Sequence, residues 1–242
     1  MKLEYLPWDS EFFDLRVGRI SIKNGFPIEL LTSEIEKARE EGYELLYVFL
    51  SKNQNLTNQF LTDNNGKLVD KKVIYELTIS KVQSNKHIEV EDYKEVELHS
   101  ELLNLAYLSG RCSRFLLDEK ITENLFKKLY KEWIIKSLSG KLADKVFVAK
   151  DKNQIIGFVT LKIKNGVGEI GLIAVSEKAQ GKKVGTKLMD ACVHYLHENS
   201  IETLIVSTQI INNHACGFYE NYGFTVKSIT NVYHFWMNIQ SV

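Results

Sequence analysis

The chain has 242 residues, and its 44% hydrophobic content can supply a full core for one large or two small domains. Lys plus Arg and Asp plus Glu number 31 each, so the chain has no net charge at pH 7 and no global field that would attract a polyanion. We therefore expect neither a nucleic-acid partner nor a membrane partner.

The sequence predicts neither a secretory signal nor a membrane span. The N-terminus lacks an apolar core, and the longest apolar run of the first half is far too short to cross a bilayer. Cys112, Cys192 and Cys216 are odd in number and lack metal-ligand spacing, which indicates reduced structural thiols. His194 and His197 lie three apart on a predicted helix, but no third ligand accompanies them. We therefore expect a cytoplasmic protein without a metal.

Residues 1–80 have the element order of half an α/β domain. Ser33 and Glu36 form a capping box before the first predicted helix, and Gly42 ends it. This βαβαβ order predicts a smaller N-terminal domain in which nothing indicates catalysis. The predicted elements are strand 17–22, helix 34–41, strand 43–50, helix 56–62 and strand 72–79.

Residues 81–95 are polar and charged without apolar periodicity, which predicts a linker to a second domain at 96–242. This domain begins with two predicted helices, and the Asn165-Gly166 pair further on is a strong signal for a type I′ hairpin. Its predicted elements are helices 97–109 and 122–139, a loop at 110–115, and strands 146–149, 155–164, 167–175, 203–208, 225–229 and 233–237.

A cationic loop, Gln180-Gly-Lys-Lys-Val-Gly185, separates a β-prone stretch from a helix with regular apolar spacing. A helix N-terminus has unpaired N–H donors and the positive end of the dipole, so a pyrophosphate is a natural ligand there. Lys182 and Lys183 are each disfavoured at that end by about 0.3 to 1 kcal/mol unless an anion is close. The alternative is a pair of solvated lysines after a glycine turn.

A second block, Asn212-Asn-His-Ala-Cys-Gly-Phe-Tyr-Glu-Asn-Tyr-Gly-Phe224, follows about thirty residues later. Together the two blocks resemble the Gcn5-related N-acetyltransferases (GNAT), whose signature pairs an Arg/Gln-x-x-Gly-x-Gly/Ala loop with an Asn-x-x-Ala-x-x-x-Tyr-x-x-x-Gly-Phe tail. Lys183 stands where the family has its central loop glycine. The matching residues are Gln180, Gly185, Asn212, Ala215, Tyr219, Gly223 and Phe224.

The resemblance implies an α/β (α+β) fold with a central mixed, mostly antiparallel sheet flanked by helices. The narrower resemblance described below implies that the smaller N-terminal βαβαβ domain is a partial copy of this fold. The GNAT resemblance also implies acetyl transfer from acetyl-CoA, as the acyl-donor co-substrate, to an amine. The residues expected to hold acetyl-CoA are Leu172, Ile173, Ala174, Val175, Gln180, Gly181, Lys182, Lys183, Val184, Gly185, Thr186, Asn212 and Phe218.

Three of the candidate residues keep a structural alternative. Tyr219 occupies the position whose phenol protonates the leaving thiolate in resembling enzymes, and a reference pKa of about 10 suits that role. It is otherwise a packed tyrosine of an amphipathic helix. Glu169 is a candidate base or water anchor, or else a solvated strand glutamate. Asn212 either binds the arm of the carrier or only caps the helix.

The loop Arg111-Cys-Ser-Arg-Phe115 is the candidate acceptor site, because arginine forks suit phosphates and an aromatic can stack on a base. The alternative is a helix-flanking loop with solvated arginines. The candidate acceptor residues are Arg111, Ser113, Arg114, Phe115 and Gln209.

A narrower resemblance, to the bacterial dTDP-4-amino-4,6-dideoxygalactose (TDP-fucosamine) N-acetyltransferases of surface-polysaccharide synthesis, covers most of the chain. It implies a nucleotide-linked amino sugar as the acceptor and a possible homodimer. Another amine (a protein N-terminus, a polyamine or an antibiotic) and a catalytically silent acyl-CoA-binding module stay open as alternatives. The segments that carry the resemblance are Leu6-Pro-Trp-Asp-Ser-Glu-Phe-Phe13, Ser113-Arg-Phe115, Trp133-Ile134, Ile170-Gly-Leu172 and Val206-Ser-Thr-Gln209.

Overall fold

The computed structural model describes residues 2–22, 27, 29–79, 90–95 and 97–237. The chain forms two compact units, the first from residues 1–73, 209–211 and 228–242 and the second from residues 74–208 and 212–227. These units do not follow a simple cut of the chain, because the last strand returns to the first unit. The division into domains at 1–80, 81–95 and 96–242 stays a prediction.

The first unit contains a sheet with the strand order β1-β2-β3-β10-β4. Strands β2 and β3 are parallel, and β10 runs antiparallel to β3. Leu31 and Ile35 of α2 are fully buried and belong to the same core cluster as Leu46 and Phe235 of the sheet. The elements are β1 (Leu3–Tyr5), α1 (Pro7–Phe13), β2 (Val17–Ile22), α2 (Glu29–Glu40), β3 (Leu45–Ser51), α3 (Asn58–Asp63), β4 (Gly66–Thr78) and β10 (Thr225–Trp236), the last two shared with the second unit.

The predicted capping box at Ser33 is wrong. Helix α2 begins before Ser33, whose hydroxyl donates a hydrogen bond to the Leu30 carbonyl at 2.9 Å within the helix. The end of this helix is confirmed, since Gly42 has a φ of +78° that favours glycine. Strands β4 and β10 are also longer than predicted, and β10 is one strand where two were expected.

The second unit carries a mixed sheet in the order β4-β9-β8-β7-β6-β5, with β7–β8 antiparallel and β8–β9 parallel. Helices α4 and α7 pack on strands of this sheet. The elements beyond β4 are β5 (Glu91–Asp92), α4 (Ser100–Ser109), α5 (Arg114–Leu117), α6 (Glu123–Leu138), β6 (Lys145–Asp151), β7 (Gln154–Lys164), β8 (Val167–Val175), α7 (Val184–Glu198), β9 (Thr203–Gln209) and α8 (Asn213–Tyr222).

The predicted hairpin is confirmed, because Asn165 and Gly166 both have the positive φ angles, 52° and 75°, of a type I′ turn. Two other predictions need correction. Part of the predicted linker is the short strand β5, which pairs with β6, while residues 81–89 lie outside the described residues. The predicted loop at 110–115 contains the start of the short helix α5. Across the described ranges, every helix is too short or too polar to span a bilayer.

Candidate active site

Strand β8 carries a β-bulge at Gly171 and Leu172, which lie opposite the single residue Thr160 of β7. The Leu172 N–H donates a hydrogen bond to the buried Thr160 hydroxyl oxygen at 2.8 Å. A Cβ on Gly171 would lie 3.0 Å from the same oxygen, so the close approach favours glycine there. A bulge bends a strand and re-aims the residues that follow it. The second half of β8 therefore runs in a different direction from the first half.

Beyond the bulge, β8 leaves its parallel neighbour. Its pairing with β9 covers only residues 168–170. The Ser176 N–H donates to the Ile156 carbonyl at 2.8 Å, and hydrogen-bonded positions alternate along an antiparallel pair. The main-chain groups of Ile173 and Val175 therefore point away from β7, toward the side from which β9 has diverged. An extended ligand can add to this edge as a strand would.

The loop that follows β8 has two residues in the left-handed region, Gly181 with a φ of 76° and Lys183 with a φ of 61°. Lys183 therefore adopts the conformation for which the resembling enzymes have glycine, at a cost of about 1 to 2 kcal/mol. The first intrahelical bond of α7 runs from the Lys187 N–H to the Lys183 carbonyl at 3.0 Å. The amides of residues 184–186 precede that bond and have no acceptor within the helix. Together with the exposed Lys182 they are the candidate anion-binding site.

Gly185 is the point where the loop, the bulged strand and α8 meet. A Cβ at this position would lie 3.3 Å from the Phe218 ring and 3.8 Å from Val175 Cγ2. A larger residue would require the ring to move. The structure thus brings together Val175, Gly185 and Phe218, which the sequence marks as one binding region.

Tyr219 follows Phe218 on α8 and is 3% exposed. Its ring packs against Phe218, with a centroid distance of 5.4 Å, and against Phe224 at 5.6 Å. Burial, with a smaller contribution from Cys216, raises the pKa of the Tyr219 phenol above its ordinary value. An ordinary tyrosine is already protonated at neutral pH, as a general acid must be, and the raised pKa makes this phenol a weaker acid than a solvated tyrosine.

Asn212 caps α8, because its Oδ1 accepts a hydrogen bond from the Ala215 N–H at 3.2 Å. We expect Asn212→Ala to lower the free energy of unfolding by about 1 kcal/mol, whereas Asn212→Ser keeps a capping oxygen and changes it by a few tenths. Urea denaturation measures both values. We also expect the KM for acetyl-CoA to rise in both variants, since both lack the amide donor. An unchanged KM in Asn212→Ser would leave Asn212 as a cap only.

The other candidate residues are more dispersed. Glu169 lies on the exposed side of β8. Arg111 donates from Nη1 to Glu177 Oε1 at 2.6 Å, and both side chains are exposed. Ser113 and Phe115 are each 6% exposed, and the Phe115 ring packs on Trp133 at 5.8 Å. The Arg114 guanidinium lies 4.5 Å from the centroid of the Phe115 ring. Gln209 belongs to the first unit.

A cavity of about 630 Å³ lies between α4 and the start of α6. This volume is within the range of about 300 to 1,000 Å³ that is typical of small-molecule sites. Among the predicted acceptor residues Arg111 alone lines it, so sequence reasoning missed most of this surface. The other lining residues are Asn104, Tyr107, Leu108, Leu116, Asp118, Glu119, Ile121, Glu123, Phe126 and Lys127.

Cysteine and histidine side chains form no metal cluster in the part of the chain that the structure describes. Cys112, Cys192 and Cys216, which all lie within the described residues, form no disulfide bond. His194 Nε2 lies 3.3 Å from Oε1 of Glu198 on the same helix.

Comparison with known proteins agrees with this geometry. The model of the acetyltransferase (GNAT) family matches residues 111–224, which include the bulge, the loop and α8. N-alpha-acetyltransferase 30 of Schizosaccharomyces pombe is 25% identical over 137 residues, which are 54% of this chain and 85% of that protein. Streptothricin acetyltransferase A of Bacillus subtilis is 27% identical over 113 residues, which are 46% of this chain and 65% of that enzyme.

Among solved structures, a GCN5-related N-acetyltransferase from Sphaerobacter thermophilus is similar, with a TM-score of 0.55 at 12% identity. The likeness covers 92% of this chain and 74% of that one, and at such identity it concerns the fold alone. The fold is the GNAT fold. The family match therefore covers the segment that holds the candidate site, and the structural likeness covers the fold of most of the chain.

Proposed function

We propose that the protein transfers an acetyl group from acetyl-CoA to the amino group of a small molecule. The observation that carries this proposal is the meeting of three parts at Gly185: the diverging end of β8, the N-terminus of α7, and the helix that holds the buried Tyr219. Each part suits one element of a thioester substrate.

The residues around Gly185 fit acetyl-CoA. The unpaired amides of residues 184–186, with Lys182 and Lys183, suit the diphosphate. The main-chain groups of Ile173 and Val175 suit the amide-containing pantetheine arm. Since the Leu172 N–H already donates to Thr160, we assign the polarisation of the thioester carbonyl to the Ile173 N–H. Bound there, acetyl-CoA supplies an activated acyl carbon.

In the proposed reaction the acceptor nitrogen forms a bond to that carbon, and the bond from carbon to sulfur breaks. Tyr219 donates its proton to the departing sulfur, and solvent returns a proton to the phenol. The acceptor amine must first lose a proton, which at neutral pH costs about 1 to 4 kcal/mol for a pKa of about 8 to 10. Glu169, or water held by it, is the proposed acceptor of that proton.

For the acceptor we propose the 4-amino group of a thymidine-diphosphate-linked 4-amino-4,6-dideoxy sugar, for bacterial surface-polysaccharide synthesis in the cytoplasm. The resemblance of the sequence segments supports this choice. So does the presence of Arg111 in the lining of the cavity, because a guanidinium suits a diphosphate. A homodimer is part of the same proposal.

A cationic amine, on a protein N-terminus or an antibiotic, is the second candidate. Two carboxylates that line the cavity, Asp118 and Glu119, suit such an acceptor. The third, Glu123, is paired with the lining Lys127 at 2.7 Å. The names of the two curated relatives, an N-alpha-acetyltransferase and a streptothricin acetyltransferase, point to the same class of acceptor.

An acceptor screen that follows release of the coenzyme A thiol tests the proposal. We expect turnover with TDP-linked amino sugars, and little with peptides, polyamines or streptothricin-like amines. Arg111→Ala should raise the KM for the nucleotide sugar about tenfold, as loss of a charge-assisted hydrogen bond does. Arg19→Ala is the matched control, because it removes a similar exposed pair, with Glu4 at 2.7 Å, in the first unit.

Turnover with cationic amines alone would replace the nucleotide sugar by the second candidate. Binding of acetyl-CoA in calorimetry without turnover of any acceptor would indicate a catalytically silent acyl-CoA-binding module.

A further inference from the structure

Tyr75 of β4 lies against the proposed acid, although it is outside the segment that matches the family. The ring centroids of Tyr75 and Tyr219 are 5.7 Å apart, with the planes at 44°. The two residues are 2% and 3% exposed, so both rings are enclosed. The Tyr219 ring also contacts the rings of Phe218 and Phe224.

The position of Tyr75 is fixed at its other end by Glu220. The Tyr75 hydroxyl donates a hydrogen bond to Glu220 Oε1 at 2.6 Å. Glu220 lies on α8 beside Tyr219, and Cys216 is one turn earlier, where its thiol also interacts with the Tyr75 hydroxyl. Burial and then the bond to Glu220 raise the pKa of the Tyr75 phenol, so it stays a donor at neutral pH.

A ring held on one side by Tyr75 has few orientations open to it, because packed aromatic side chains turn only when their neighbours move. The direction of the Tyr219 hydroxyl depends on the orientation of its ring. A displacement of about 1 Å in a reacting group can lower a rate by as much as about 10²-fold. Loss of the bond between Tyr75 and Glu220 would allow such a displacement.

We propose that Tyr75, anchored by Glu220, is a positioning residue that aims the Tyr219 hydroxyl at the departing sulfur. The inference rests on the proposed function, since it assumes that Tyr219 is the acid. It assigns a role in the reaction to a residue of β4, which precedes the segment that matches the family model.

Tyr75→Phe tests the proposal because it keeps the ring and removes only the donor. We expect kcat to fall about tenfold while the KM for acetyl-CoA changes less than about twofold, the pattern of an interaction that acts on the chemical step. Tyr222→Phe is the matched control. Tyr222 lies on α8, and its hydroxyl donates a hydrogen bond to Asp190 Oδ1 at 2.7 Å. The substitution removes this bond from a tyrosine hydroxyl to a carboxylate and should leave kcat unchanged.

The double variant Tyr75→Phe/Tyr219→Phe separates positioning from general loss of structure. If Tyr75 acts through Tyr219, the second change lowers kcat no further than Tyr219→Phe alone. Glu220→Ala should reproduce the fall seen in Tyr75→Phe, and Glu220→Gln, which keeps an acceptor oxygen, should restore most of it. These two variants supply the test if Tyr75→Phe folds poorly.

An unchanged kcat in Tyr75→Phe and Glu220→Ala overturns the inference. An equal additional fall in the Tyr219→Phe background also overturns it, because Tyr75 would then act independently of the acid. Full turnover in Tyr219→Phe alone is a different result, which removes the acid from the proposed function and with it the object that Tyr75 positions.

Discussion

Tyr219→Phe is expected to lower kcat by about 10²- to 10⁴-fold, the usual contribution of general acid catalysis, while acetyl-CoA binds almost as before. The change removes the proton donor but keeps the ring that packs against Phe218. Stopped assays of coenzyme A release and calorimetric titration with acetyl-CoA measure the two effects separately. Because burial raises the pKa of Tyr219, wild-type activity should also persist past the ordinary tyrosine pKa of about 10.

The control for this prediction is Tyr233→Phe in the first unit. Tyr233 is a buried tyrosine whose hydroxyl accepts a hydrogen bond from the Leu56 N–H at 3.3 Å. Loss of the hydroxyl leaves the buried Leu56 N–H without this acceptor, so the free energy of unfolding should fall by about 1 to 3 kcal/mol. The kcat should stay unchanged. Wild-type turnover in Tyr219→Phe would show that another group protonates the sulfur.

Reversing both charges of the loop in Lys182→Glu/Lys183→Glu should weaken acetyl-CoA binding about 30-fold. Two attractions to a diphosphate become repulsions, and a total of about 2 kcal/mol corresponds to that factor. Isothermal titration at low salt measures the Kd, and the difference from wild type should shrink as salt is added. Lys128→Glu/Lys131→Glu on the exposed side of α6 is the matched control, because it makes the same change in net charge.

Lys183→Gly separates the charge of this residue from its backbone conformation. Glycine relieves the left-handed strain at a φ of 61°, so the free energy of unfolding should rise by about 1 kcal/mol. Binding of acetyl-CoA should weaken only about threefold, as for the loss of one partly solvated contact. Binding as tight as wild type in both loop variants would contradict the proposed diphosphate site.

Local chemistry made several features predictable. The Asn165-Gly166 turn needs two positive φ angles that these residues tolerate, and the structure has them. Thr122 accepts a hydrogen bond from the Leu125 N–H at 3.3 Å, which begins α6 where the sequence predicts a helix. In the same way Asn212 caps α8 three residues before Ala215. In each case the deciding partners are within four residues.

Other features were missed because their partners are distant in sequence. The gap between the two predicted strands at residues 230–232 belongs to β10, because these residues pair with β3. Thr230, for example, pairs with Ser51, which is 179 residues away in sequence, and no local pattern reveals such a contact. The error at α2 has a similar cause. The fully buried Leu31 precedes the predicted start of the helix, so packing on the sheet extends the helix past the local cap signal.

The sequence by itself determined the cationic loop before α7 and the helix that carries Tyr219, and it indicated the proposed class of chemistry, because these depend on residue types at short, regular spacings. Only the tertiary structure decided the bulge opposite Thr160, the divergence of β8 from β9, the α4–α6 cavity and the contact of Tyr75 with Tyr219. The reason is that strand register and side-chain burial are properties of segments that meet only when the chain folds.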